Sequence, residues 1–212
     1  ISLLSSGWGV RFLDFDNDGW KDLFLARGHV LDTIELTSPH LTYRETPLLA
    51  RNEEGRFHDV SADAGEVFQT PMVARGVAVG DLDDDGDLDI VLSTLDDHAR
   101  VLRNEGGHRG HWIQLRLVGR RSNRDGIGAD VRLVTASGAV RQATATTTAG
   151  YLSAGDRRVH LGLGAEAAIA SIEIRWPSGT VQRLTGVEAD QILTVTEPEA
   201  TPREPAPPKA RR

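Results

Sequence analysis

The chain has 212 residues, of which 39% are hydrophobic and 26% charged; its formal net charge is −7 and it holds no cysteine. Such a composition suits a globular chain of one large or two small domains, and it excludes a disulfide scaffold and zinc–thiolate sites. No apolar run approaches the roughly 20 residues of a membrane-spanning helix, and the local acidity argues against nucleic acid as a partner. The 22 glycines, against one methionine and five phenylalanines, point to turns and strands rather than long helices. The chain starts at Ile1, with neither initiator methionine nor signal peptide, which fits a segment of a longer protein.

Taken in order, the first element is the β-prone segment Gly9-Val10-Arg11-Phe12-Leu13. It runs into the acidic loop Asp14-Phe15-Asp16-Asn17-Asp18-Gly19-Trp20-Lys21-Asp22 and leaves it through Leu23-Phe24-Leu25. The same arrangement returns 67 residues later. Gly76–Gly80 enters Asp81-Leu82-Asp83-Asp84-Asp85-Gly86-Asp87-Leu88-Asp89, and Ile90-Val91-Leu92 leaves it. Both loops read D-x-D-x-D-G-x-x-D. Carboxylates this close repel one another, unless a hard cation such as Ca²⁺ takes their oxygens as ligands and a glycine provides the sharp turn. The EF-hand shares the opening of this motif, but it needs a bidentate Glu at position 12 and a helix on each side. Position 12 is Leu25 in one copy and Leu92 in the other, and neither flank has helical period. A strand–loop–strand hairpin is therefore expected twice.

The expected ligands of the first ion are the carboxylates of Asp14, Asp16, Asp18 and Asp22 and the carbonyl of Trp20. Those of the second are Asp81, Asp83, Asp85 and Asp89 with the carbonyl of Asp87. Asn17 and Asp84 fall at even positions and are expected to face solvent. Two bound Ca²⁺ ions would leave a net charge of about −3. Lys21 lowers the negative charge of the first loop, so that site is expected to bind more weakly.

Residues 26–47 show no period and read as a long connection; His29 and His40 in it are expected to be loop residues. Then follows Leu48-Leu49-Ala50-Arg51-Asn52-Glu53-Glu54-Gly55-Arg56-Phe57-His58-Asp59-Val60-Ser61, with Ala64-Gly65 after it. With the acidic loops, this phrase resembles the FG-GAP or VCBS repeat of integrin-α-type β-propellers. Arg103-Asn104-Glu105-Gly106-Gly107 begins the phrase again and then departs from it. The resemblance implies that residues 1–107 form part of a propeller, two blades with calcium loops.

From His111 the texture changes. Ile113, Leu115 and Leu117 alternate with Gln114 and Arg116, the pattern of a half-buried strand. Further strands are expected at 130–135, 140–147, 158–162, 171–176, 180–184 and 192–196, a set that suggests a β-sandwich. Ser122-Asn123-Arg124-Asp125-Gly126-Ile127-Gly128-Ala129, Gly150-Tyr151-Leu152-Ser153, Val159-His160-Leu161-Gly162-Leu163-Gly164 and Arg175-Trp176-Pro177-Ser178-Gly179 resemble, in this order, the ASPIC/UnbV domain. That domain follows FG-GAP repeats in cartilage-acidic-protein-like and UnbV-like proteins, and the resemblance implies an extracytoplasmic module over 108–196. Most of these polar residues suit turns, and Tyr151 is expected to bury its ring. A convergence of Asn123, Arg124, Asp125, Tyr151 and His160 on a ligand is the functional alternative. Gly162-Leu163-Gly164-Ala165-Glu166-Ala167 fits the dinucleotide pattern G-x-G-x-x-A, but the next strand begins too soon for a crossover helix. The proline-rich segment 197–212 reads as a disordered tail or linker.

There is no H-E-x-x-H, no G-x-S-x-G and no cysteine nucleophile. The expectation is a non-catalytic, calcium-binding recognition or adhesion module, secreted, periplasmic or at the cell surface, with a protein or carbohydrate partner. The alternative is the accessory or substrate-binding part of a secreted carbohydrate-active enzyme, with the catalytic residues elsewhere.

Overall fold

The computed structural model describes residues 5–106, 109–148 and 150–199. Among them the chain forms fourteen β-strands, joined by turns and a few short helical segments. The architecture is all-β and is divided among several small sheets. Gly107, where the second Arg-Asn phrase ends, and the residues 200–212 of the expected tail lie outside the described residues.

The first sheet is an antiparallel meander of β1 (Gly7–Leu13), β2 (Asp22–Arg27), β3 (Leu48–Glu53) and β4 (Arg56–Asp59). The second consists of β5 (Ala74–Gly80), β6 (Asp89–Thr94) and β7 (Arg100–Leu102). Each acidic loop closes an antiparallel hairpin: Leu13 stands opposite Asp22, and Gly80 opposite Asp89. The register repeats as well. Phe12, Leu23 and Ala50 form one row across the first sheet, and Val79, Ile90 and Leu102 form its counterpart in the second. Side chains alternate between faces along a strand, so the register fixes which face packs. Val77, Val79, Ile90 and Leu92 of the second sheet share a core with Leu13, Phe24 and Leu49 of the first. Phe68, from the helical turn Glu66–Gln69, joins that core with its ring 6.0 Å from that of Phe24. The connection 28–47 holds one short turn of helix, Ile34–Thr37.

The rest of the chain forms β8 (His111–Val118), β9 (Asp130–Thr135), β10 (Val140–Thr144), β11 (Val159–Gly164), β12 (Ile169–Arg175), β13 (Val181–Leu184) and β14 (Gln191–Thr196). One sheet has the order β10-β9-β12-β13 and is antiparallel throughout; the other is β11-β8-β14, in which β14 runs parallel to β8. Both sheets feed a single core that includes Ile113, Leu115, Leu133, Leu161, Ile172 and Ile174. Trp176 is buried in it and donates its indole N–H to Gln182 Oε1 at 3.0 Å. Gln114, read from the sequence as facing water, is buried too. Strand β8 carries the core on one face, and at Gln114 an acidic loop covers the other.

Composition places Glu197 in a tail, yet it is 1% exposed. Its Oε2 accepts the N–H groups of Arg120, Arg121 and Ser122 at 2.8, 2.9 and 2.8 Å, while Oε1 accepts the hydroxyls of Ser122 and Ser178. Burial alone would raise its pKa, but these donors outweigh it and hold the carboxyl at about 2. A folded pKa below the unfolded value contributes stability that is complete above the unfolded value and is lost as pH falls toward the folded one. Glu197→Gln is therefore expected to lower stability by about 2 kcal/mol at pH 7. The gap from wild type should close between roughly pH 4.5 and pH 2, as followed by thermal melts across that range.

Candidate metal centres

The two acidic loops share most of their internal bonds. Asp14 Oδ2 accepts the N–H of Gly19 at 3.0 Å, and Asp81 Oδ2 that of Gly86 at 3.0 Å. Asp22 Oδ2 accepts from Phe15 N at 3.0 Å, and Asp89 Oδ2 from Leu82 N at 2.9 Å. The other oxygen of each closing aspartate takes the N–H of an asparagine on the third strand of its sheet or just beyond, Asn52 at 2.8 Å and Asn104 at 2.8 Å. Asn52 Nδ2 returns a bond to its own loop, to Lys21 O at 2.9 Å; Asn104 Nδ2 reaches the equivalent Leu88 O at 3.5 Å and crosses to the first loop, to Phe15 O at 2.7 Å. The arginine before each asparagine pairs with the loop's second aspartate, Arg51 with Asp16 at 2.9 Å and Arg103 with Asp83 at 2.7 Å. The Arg-Asn phrase thus latches each loop to its own sheet. The turn itself needs left-handed backbone, supplied by Gly19 at φ 90° and Gly86 at φ 94°.

Asp14, Asp16 and Asp18 each place a carboxylate oxygen within 4.8 Å of the others, and Asp81, Asp83 and Asp89 do the same. Asp22 and Asp85 stand outside these two groups. Asp22 serves the backbone of Phe15 and Asn52, and Asp85 Oδ1 accepts the N–H of Asp87 at 2.9 Å. Trp20 donates its N–H to Asp18 Oδ1 at 2.7 Å, the counterpart of the Asp87–Asp85 bond. Burial pushes the Asp14 carboxyl up to about 7, with Lys21 opposing and Asp18, Asp22 and Asp16 adding to the rise. Burial likewise raises Asp22 to about 6 against the N–H groups of Asn52 and Phe15, and it raises Asp81. Asp14, 1% exposed, keeps one oxygen, Oδ1, without a hydrogen-bond partner. A buried carboxylate oxygen lacking a donor, in an all-oxygen cluster on a tight turn, fits a hard divalent cation.

Both loops are covered by the C-terminal strands. Gln114 Nε2 donates to Asp81 Oδ2 at 2.5 Å; Arg158 pairs with Asp84 at 2.6 Å and donates to the carbonyl of Asp81. His160, buried, stands 3.2 Å from the carbonyl of Gly86 through Nε2. A carbonyl only accepts, so Nε2 carries the proton, and Nδ1 is left without a partner. Burial lowers this imidazole to about 3, with the charge of Lys21 adding, so it is neutral at pH 7. The expectation that Asn17 faces solvent is corrected here. It is fully buried and donates to Gly86 O and Asp87 Oδ1, both at 3.3 Å, so it joins one loop to the other. Its backbone is left-handed, at φ 57°, as is that of Asp84 at φ 63°. Asp84 is exposed, as expected, and faces Arg158.

The glycines of the discarded dinucleotide pattern prove to be contact points. Gly164 N donates to Asn17 O at 2.7 Å, and a Cβ on Gly162 would collide with Asp14 Oδ2. The remaining candidates have partners of their own. Asn123 closes its own turn through Ile127, Asp125 pairs with Arg157, and Arg124 is exposed. Tyr151 is 43% exposed rather than buried, with its ring edge-on to Trp8 at 5.2 Å. Sequence reasoning missed Asn52, Asn104, Gln114 and Arg158 as partners of the loops. The Arg-Asn repetition carried the signal for the first two, whereas nothing local marks Gln114 or Arg158. Gly162→Ala is expected to cost about 1–3 kcal/mol by forcing the first loop off β11, measured as a lower urea midpoint at unchanged slope.

Residues 119–202 match the ASPIC and UnbV family. The chain is 29% identical over 202 residues to cartilage acidic protein 1 of Homo sapiens, covering 92% of this chain and 29% of that protein. Its similarity to the protein of the same name from Xenopus tropicalis is 30% over 191 residues, covering 87% and 28%. The Mus musculus protein is 28% identical over 192 residues, covering 88% and 28%. The chain thus spans less than a third of the length of the curated relatives it matches. Its C-terminal part carries an ASPIC/UnbV-like domain, and the chain as a whole is distantly similar to cartilage acidic protein 1.

Proposed function

We propose that this chain is a calcium-stabilised, non-catalytic recognition module that works outside the cytoplasm, at a cell surface or in the extracellular space. The observation that carries the reading is the duplicate wiring of the two acidic loops, down to the asparagine latch and the arginine pair. One acidic turn can be a solvated surface feature. Two with the same internal bonds, each buried beneath a second set of strands, are built to hold something positive. On this reading residues 1–107 are two FG-GAP/VCBS-type propeller blades and residues 108–196 are a sandwich-like ASPIC/UnbV domain. The Asp14, Asp16, Asp18 and Asp22 carboxylates with the Trp20 carbonyl hold one Ca²⁺. Asp81, Asp83, Asp85 and Asp89 with the Asp87 carbonyl hold the other. Bound Ca²⁺ supplies positive charge that the carboxylates otherwise lack. Carboxylates engaged this way are poor proton shuttles, which favours a structural over a catalytic role. Calcium loops of modest affinity suit compartments where the ion is abundant, and the partner is then a protein or carbohydrate ligand met on the exposed surface.

The linkage is direct: an ion that binds only the folded chain at 100 times its Kd stabilises it by about 2.7 kcal/mol. Calorimetric titration of Ca²⁺ into chelator-treated protein is expected to give two ions bound and a raised Tm. Asp81→Ala should remove one ion and Asp14→Ala the other. The Asp14 site should fill second, because Lys21 stands where the second loop has Leu88. Absence of binding at millimolar Ca²⁺ would remove the reading.

A further inference from the structure

A cleft of about 630 Å³ opens where the C-terminal part of the chain meets the second hairpin sheet. That is within the range of small-ligand sites, roughly 300–1,000 Å³. Its apolar lining includes Ala78 and Val91, paired across β5 and β6, and Leu82 from the second acidic loop, which is 58% exposed. The segment 153–158, which leads into β11, closes another side. It is fastened along β5: Val77 N donates to Ser153 Oγ at 2.9 Å, and Asp156 N to Val79 O at 3.0 Å. A Cβ on Gly80 would come within 2.9 Å of Asp156 Cβ, so the segment sits directly on the strand. Arg116 of β8 also lines the cleft, on the strand face that carries Gln114.

Most polar groups of the cleft are already held in place. Arg158, with its side chain 11% exposed, pairs with Asp156 at 2.6 Å and with Asp84 at 2.6 Å, and it donates to the carbonyl of Asp81. Arg157 pairs with Asp125 at 3.3 Å. Asp81 is buried, and its carboxylate is taken up by Gly86 N and Gln114. Three arginines and three further aspartates remain, so the charges at the cleft balance. Arg116 is exposed and has no hydrogen bond or ion pair among the described residues. Asp84 and Asp125 keep carboxylate surface in water, with side chains 65% and 37% exposed.

This pattern selects by charge. A cation would be set against Arg116, and an anion against Asp84 and Asp125. A neutral molecule that accepts and donates at several points suits a free guanidinium beside partly free carboxylates. A sugar ring meets that description, because each hydroxyl does both and the C–H face of the ring packs on aliphatic side chains such as Leu82. We propose that this cleft binds a neutral carbohydrate, one hexopyranose unit of a glycan. Its hydroxyls accept from Arg116 and donate to Asp84 and Asp125. The inference rests on the recognition role given above and names a ligand class and a place for it.

The probes are glucose, galactose, mannose and N-acetylglucosamine, each titrated at tens of millimolar into the full chain while amide and arginine side-chain signals are followed by NMR. At least one is expected to shift the Leu82, Gly155 and Arg157 amides and the Arg116 Nε–H saturably. Arg116→Gln should bind that sugar about tenfold more weakly at unchanged Tm, since a charged donor is lost from an exposed position. Glucuronate and glucosamine, which carry a charge, should bind the unsubstituted chain about tenfold more weakly than their neutral parents. Absence of a saturable shift with all of the neutral sugars would overturn the proposal. So would undiminished binding by Arg116→Gln, or equal binding of either charged sugar. A Ca²⁺ titration of the same sample separates this site from the metal loops. Two ions bound without a sugar response sinks the carbohydrate site alone. A sugar response without bound ions sustains the site and removes the calcium reading.

Discussion

Mutual repulsion among buried aspartates is the constraint on which the rest of this structure depends. Two unit charges 4 Å apart repel by roughly 4 kcal/mol at the effective dielectric of a protein surface, and by more where water is excluded. Each acidic loop gathers several such pairs, and its first and last aspartates, Asp14 and Asp22 or Asp81 and Asp89, are buried rather than left in water. Backbone N–H groups of the turn, an arginine and an asparagine-latched amide offset part of that cost. One oxygen of Asp14 remains without a donor. The elevated pKa of Asp14 expresses the same imbalance in another way: burial shifts the carboxyl toward its protonated form.

The loops therefore have two structural roles. They close hairpins, which requires a tight turn, and they form the surface on which the C-terminal strands sit. The second role explains residues that local rules do not. Gln114 occupies an outward position of an alternating strand, yet it is buried because Asp81 is its environment. Gly162 lacks a side chain because the first loop passes directly over it, whereas Gly164 has left-handed backbone at φ 64° and donates its N–H to Asn17 O. Asn17 spans from one loop to the other, so the two hairpins and the strands above them meet at a single polar junction. Buried polar groups of this kind are costly unless nearly all are satisfied, which makes the junction sensitive to any single change.

The repeat also shows how one sequence pattern can lead to two outcomes. Both copies carry the loop, the third strand and the Arg-Asn latch. The first continues through Phe57, Asp59 and Ser61, and of the two hairpin sheets it is the one with a fourth strand among the described residues. Backbone groups that β4 satisfies in the first sheet face outward in the second.

Much of the fold could be read from residue order alone. Apolar triplets flanking D-x-D-x-D-G gave both hairpins, alternation gave β8, and turn residues marked the seven strands after His111. These signals are local: period, turn chemistry and charge density act within a few residues. The oxygen-rich character of the two sites was equally plain, because so many aspartates at alternating positions admit few other uses. What the order of residues could not decide was which surfaces meet. Asn17 was expected in water and is buried; Tyr151 was expected in the core and stands at the surface; Glu197 was assigned to a tail and is held by donors from two turns. Each of those outcomes depends on a partner dozens of residues away, brought near only when the sheets pack. The sequence by itself thus determined the strands, the turns and the charge that must be balanced. Tertiary structure alone decided where the acidic loops lie and what covers them, because burial and long-range pairing are properties of packed surfaces rather than of neighbours along the chain.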